Sequence, residues 1–102
     1  MRVGRAVVLA LALFLAACSE DSSPAGRGRQ IYQAQCIACH NSDPSKAGPL
    51  GPPVKGSSRE LLEAKLLRGS YPPSYMPKRN TVIMPPQPHL APYTSDLAAF
   101  LQ

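Results

Sequence analysis

The sequence predicts an all-α domain, about three short helices joined by long proline-rich loops. Three observations carry this expectation. Residues that would face a core recur at helical spacing in three places: Gly28, Tyr32 and Cys36; Leu61, Leu62, Leu66 and Leu67; Leu97, Phe100 and Leu101. Helix start and stop signals flank these stretches. All twelve prolines lie beyond residue 23, so dense between the stretches that no strand run survives.

A chain of 102 residues holds one domain at most, and its beginning does not read as fold. Arg2 and Arg5 precede an unbroken apolar run from Ala6 to Ala17, the pattern of a secretory signal peptide, too short to span a membrane comfortably. The run closes with Leu15-Ala16-Ala17-Cys18, which resembles the lipobox of bacterial lipoproteins. That resemblance implies cleavage before Cys18 and lipid on Cys18; the plainer alternative is an ordinary cleavage site followed by a stray cysteine. The expected organisation is a signal peptide over 1–17, a lipidated tether over 18–25 and the folded domain over 26–102. Extended, the polar tether would reach ~20 Å. The expected location is the periplasmic side of a bacterial membrane. Ser19 stands where some inner-membrane lipoproteins carry a retaining aspartate, a lean toward the outer membrane.

Loss of Arg2 and Arg5 with the leader lowers the formal net charge from +5 to +3. No basic run with interleaved aromatics is present, and nucleic acid is not an expected partner. With Cys18 lipidated, only Cys36 and Cys39 remain, so no interlocking disulfide framework can form. A domain this small needs help to stabilise a core, and something other than side chains is expected to fill its centre.

The first helix begins at Ser23-Pro24, a capping hydroxyl followed by proline at the first helical position, and delivers Cys36 to the interior. Asn41 to Gly56 is a loop rich in Pro and Gly. Ser57 and Glu60 form a capping-box pattern ahead of the leucine face of the second helix, which Arg68 and Gly69 close. Ser70 to Pro92 is expected to be irregular throughout. Thr94 is the expected cap of the last helix, with Asp96 suiting its positive end.

The first helix runs into Cys36-Ile37-Ala38-Cys39-His40, a C-x-x-C-H motif. Three readings meet here. A thioredoxin-like redox pair belongs after a strand in a βαβ unit, and this motif follows a helix. Zinc needs four ligands, which Cys36, Cys39, His40 and His89 supply on paper, although adjacent Cys39 and His40 would have to converge on one ion. Haem uses all three residues: two thiols to add across the vinyl groups and a histidine for the iron.

From Gly28 to the C-terminus the chain resembles a small bacterial class I cytochrome c. Gly51-Pro52-Pro53-Val54-Lys55-Gly56 is similar to that family's G-P-x-L-x-G segment, with Val54 for Leu, and Pro52 lies twelve residues after His40. Met84-Pro85-Pro86 matches its M-P-P signature, 44 residues past His40 and sixteen before Phe100, whereas Met76-Pro77 lies farther from the last helix. Gly28 and Phe100 match the glycine and aromatic of its helix crossing. The resemblance implies one covalent haem c on Cys36 and Cys39, His40 and Met84 as axial ligands, and the Pro52 carbonyl accepting from His40. Tyr32, Val54, Leu66, Leu67, Tyr71 and Tyr75 are candidate pocket residues; His89 reads as a solvated loop histidine.

The function this implies is single-electron transfer between redox proteins outside the cytoplasm, with no small-molecule substrate and no catalysis of its own. Lys46, Lys55, Lys78 and Arg79 would steer the exposed haem edge toward acidic docking surfaces. Alternatives are a fixed haem relay in a membrane oxidoreductase and an open-iron, peroxidase-like or gas-sensing protein.

Overall fold

A computed structural model describes residues 21–102. The expected signal peptide and Cys18 lie outside the described residues. Three α-helices and one 3₁₀ helix follow in order, with no strand among the described residues: α1 (Pro24–Gln35), α2 (Arg59–Arg68), a 3₁₀ helix (Pro88–Tyr93) and α3 (Thr94–Leu101). The all-helical expectation holds.

Helix α1 starts as its sequence dictates. Ser23 Oγ accepts from the Gly26 N–H at 3.0 Å, and Pro24 occupies a position whose missing N–H costs nothing. Helix α2 starts one residue later than the capping-box pattern suggests: Ser58 Oγ, not Ser57, accepts from the Leu61 N–H at 3.1 Å. Ser57 is buried and donates to the Val54 carbonyl at 2.5 Å, closing the preceding turn. A hydroxyl satisfied inside that turn cannot also cap the helix. Arg59 and Glu63 pair one turn apart at 2.7 Å, and Gly69 ends the helix at φ 63°.

Two expectations for the C-terminal third need correction. The stretch to Pro92 is not irregular throughout, because Pro88–Tyr93 winds into a 3₁₀ helix and buries Leu90. Proline at the start of so short a helix forfeits no hydrogen bond. Thr94 is the first residue of α3 rather than its cap; it is buried, with its hydroxyl 3.4 Å from both the Ala91 carbonyl and Glu63 Oε1.

Helix α1 crosses α3 at Gly28. A Cβ at that position would overlap the Asp96 carbonyl oxygen and press on Leu97 N, so the close approach requires glycine. The Arg27 guanidinium grips the Asp96 carboxylate at 3.2 Å through two nitrogens beside the crossing. Phe100 packs against Tyr32, ring centroids 5.5 Å apart and tilted by 47°, so the ring's partner is the tyrosine one turn beyond Gly28. Tyr32, Leu66, Leu90, Leu97 and Leu101 form the core, one or two residues from each helix.

Backbone strain sits in the loop after α2, where Ser74 holds φ 66°. Thermal melts of the purified protein should therefore move in opposite directions for two variants. Gly28→Ala should destabilise by ~2 kcal/mol or more, since backbone must part to admit the methyl. Ser74→Gly should stabilise by ~0.5 kcal/mol, the relief of the left-handed conformation exceeding the entropy cost of glycine. A neutral Gly28→Ala would show that the crossing is looser than the structure has it.

Candidate haem site

The site is built where α1 stops. Cys36 caps the helix with its N–H on the Tyr32 carbonyl at 2.9 Å, and its own carbonyl accepts from the His40 N–H at 2.9 Å, so the chain coils tightly through the motif. The Cys39 carbonyl then accepts from Gly51 at 2.9 Å and Leu50 at 3.2 Å, which draws the Gly51-Pro52 segment onto His40. Gly51 is buried against the imidazole. A Cβ there would lie 2.5 Å from Nδ1, so any other residue would displace the ring.

His40 Nδ1 lies 2.9 Å from the Pro52 carbonyl. A carbonyl oxygen can only accept, so Nδ1 carries the proton and the Nε2 lone pair is left for a ligand. Tyr32 supports the same turn from below by donating to the Asn41 carbonyl at 2.5 Å. Burial, with smaller contributions from Cys36 and Asp43, pushes its phenol up to about 12 and keeps it a neutral donor.

The two cysteines differ. Cys39 is exposed; Cys36 is half-buried, and burial pushes its thiol up to about 11. That shift moves Cys36 away from the thiolate form that disulfide exchange uses. The zinc set is not assembled either. His89 sits exposed on the 3₁₀ helix, 3.4 Å from Gln35 Oε1, and among the described residues no three His, Cys, Asp or Glu side chains converge to hold a metal ion.

Cys36, Cys39, His40, Pro52 and Met84 all line one cavity of about 380 Å³, within the usual range for cofactor sites. Of the candidate pocket residues, Tyr32, Val54, Leu66, Tyr71 and Tyr75 lie on its wall. Leu67 does not; it packs on the core from outside, and Leu61 and Leu62 face the cavity instead. The leucine stripe is wide enough that spacing alone does not say which edge turns to the cavity.

The long loop places its two methionines differently. Gln87 N–H donates to the Leu66 carbonyl at 2.6 Å and Pro86 packs on Gly69, so the loop's end is fastened to α2. Met84, three residues before, is part-buried against the core, while Met76 is 84% exposed and lines a separate outer cleft. Three features of the loop lay beyond sequence reasoning. Tyr71 and Tyr75 stack at 5.5 Å around the Pro72-Pro73-Ser74 turn, Lys65 Nζ sits 4.5 Å over the Tyr71 ring, and Lys78 Nζ donates to the Pro53 carbonyl at 2.8 Å. Two tyrosines four apart around a Pro-Pro turn were the signal available for the stack. Lys78 and Arg79 reach the cavity wall; Lys46 and Lys55 are exposed and stand off it.

The residues present fit a haem. The motif sets two thiols beside an imidazole whose free nitrogen has its tautomer fixed, the walls are leucine-rich, and a thioether lines the same space. A family model described as cytochrome c oxidase, cbb3-type, subunit III matches residues 23–90. No curated protein and no solved structure matches the chain. The match covers the cap of α1, the C-x-x-C-H turn, α2 and the loop as far as Leu90, all of the cavity except what α3 contributes. The chain therefore belongs to the cytochrome c oxidase, cbb3-type, subunit III family and carries its c-type cytochrome domain, an electron-transfer unit that binds haem covalently.

Proposed function

We propose that the protein is a monohaem electron carrier, held to the periplasmic face of a bacterial membrane by lipid on Cys18. Cys36 and Cys39 hold the haem by thioether bonds. His40 Nε2 and the Met84 sulfur would ligate its iron, and the Pro52 carbonyl holds His40 in the tautomer that leaves Nε2 free to do so. The bound haem supplies an iron that accepts and returns one electron. The observation that carries this reading is the His40–Pro52 hydrogen bond at 2.9 Å, which leaves a ring nitrogen free beside two thiols in an apolar cavity.

Each residue has a distinct task. The Pro52 carbonyl holds the proton on Nδ1 of His40 and stops the ring from turning. The burial of Met84 and the fastening of its loop to α2 favour its retention in both oxidation states, so that little reorganises per electron. A thioether ligand favours the ferrous state and raises the potential. Donor and acceptor are redox proteins, with acidic surfaces the natural match for the basic residues around the opening. A second reading, a fixed relay in a membrane oxidoreductase, is favoured by the description of the family as an oxidase subunit. Stable co-purification with membrane-embedded chains would select it over a mobile carrier.

Substitution of the methionines tests the ligation. Met84→Ala should abolish the weak near-infrared band of ferric methionine ligation, lower the potential and admit imidazole or carbon monoxide. Met76→Ala should leave all three unchanged, as its side chain faces water. Reversed outcomes would transfer the ligand role to Met76. Rapid carbon monoxide binding by the unsubstituted protein would instead indicate an open iron and a catalytic or sensing role.

The anchor is tested at Cys18. Cys18→Ala should abolish incorporation of labelled fatty acid while any exported, haem-loaded product keeps its visible spectrum. Persistent labelling would remove the lipid assignment.

A further inference from the structure

The cavity has a charge pattern that iron ligation does not use. Lys65, Lys78 and Arg79 line it, and no Asp or Glu does. Its other titratable groups are Tyr32, Tyr71, Tyr75, His40 and the two cysteines, none of which offsets three positive charges at neutral pH. The chain itself is bare of acid here: no Asp or Glu occurs between Glu63 and Asp96. Lys65 is half-buried and Lys78 and Arg79 are exposed, so the three place a positive edge where the cavity meets water, and an anion lying there would be favoured.

The three are not equivalent. Lys65 is held over the Tyr71 ring, with its ammonium 4.5 Å from the centroid. Lys78 gives one of its three donors to the Pro53 carbonyl at 2.8 Å, which ties the Tyr71–Pro86 loop to the segment that orients His40. Arg79 makes no hydrogen bond or ion pair among the described residues, although it lines both the main cavity and the outer cleft. A guanidinium with five unused donors suits a planar carboxylate.

We propose that Arg79, assisted by Lys78, is the anion site for the carboxylates of the haem propionates. This inference rests on the haem reading above and extends it to charge. It gives the Lys78–Arg79 pair a role beyond attracting partners: the pair neutralises the cofactor's carboxylates and closes the Tyr71–Pro86 loop over it. Arg79 is a positioning residue; it touches neither the iron nor its ligands.

Removing the guanidinium should raise the pKa of the carboxylate it faces. As pH then climbs through that value, an uncompensated negative charge develops beside the iron, favours the ferric state and lowers the potential. The test is the reduction potential of the haem-loaded protein between pH 5 and 8. The unsubstituted protein and Arg79→Lys should give nearly flat profiles, whereas Arg79→Gln should give a potential that falls with rising pH. Arg68→Gln removes the same unit of charge from the end of α2, where the side chain does not line the cavity, and should stay flat. If Arg79→Gln and Arg68→Gln give superimposable profiles, Arg79 does not face a carboxylate and the proposal fails, with the haem assignment intact. Should Arg79→Gln not accumulate, Lys78→Gln is read in the same way, a flat profile counting against the proposal. Haem staining of each denatured variant keeps the two readings apart, since loss of covalent haem from the unsubstituted protein would overturn the haem assignment itself.

Discussion

The constraint on which this structure turns is that the chain cannot fill its own centre. Six apolar side chains are buried among the described residues: Tyr32, Ala64, Leu66, Leu90, Leu97 and Leu101. All but Ala64 gather in one small core cluster to which α1, α2, α3 and the 3₁₀ helix each contribute. Beyond that cluster, much of the apolar surface of Leu61, Leu62, Val54 and Met84 faces a cavity. A domain of this size is marginal even with a complete core. The proline-rich loop from Tyr71 to Pro86 is held by a few protein contacts, Met84 on the core, Pro86 at Gly69 and Lys78 on the Pro53 carbonyl, and between them it walls the cavity.

Everything that positions the C-x-x-C-H side of the cavity follows from where α1 ends. The Gly28 crossing with α3 fixes the axis of α1, and with it the direction in which Cys36, Cys39 and His40 emerge. The Cys39 carbonyl captures the Gly51 amide, and the Pro52 carbonyl one residue later captures the imidazole. Lys78 on the Pro53 carbonyl connects this segment to the Tyr71–Pro86 loop. Two neighbouring proline carbonyls thus hold the C-x-x-C-H turn and the long loop to one segment, and proline suits the task because its ring holds the backbone rigid while leaving the carbonyl free.

Much of this was legible before any coordinates. The start of α1 and its run into the C-x-x-C-H motif follow from residue type and spacing, whereas the approach of Pro52 to His40 and the preference for Met84 over Met76 came from the family resemblance. What escaped has a common cause. Ser57 and Ser58 are adjacent and chemically alike, and only the turn at Val54 decides which of them caps α2. Leu62 and Leu67 lie on the same broad apolar stripe, and only the tilt of α2 decides which of them faces the cavity. The 3₁₀ helix hides behind Pro88 and Pro92, residues that rule out a long helix but not a short one. The partners of Lys65 and Lys78 are a ring and a carbonyl, neither of which announces itself in sequence as a charge would.

The account stands on covalent occupation of the cavity by one haem, and intact-mass spectrometry tests this most directly. Protein exported to an oxidising compartment with haem-loading machinery is denatured, extracted with acid and organic solvent, and weighed. The predicted result is a single species heavier than the processed chain, after allowance for any lipid, by one haem, with Cys36 and Cys39 both inert to alkylation. A chain at its unmodified protein mass, with haem in the organic phase or both thiols alkylated, would contradict it.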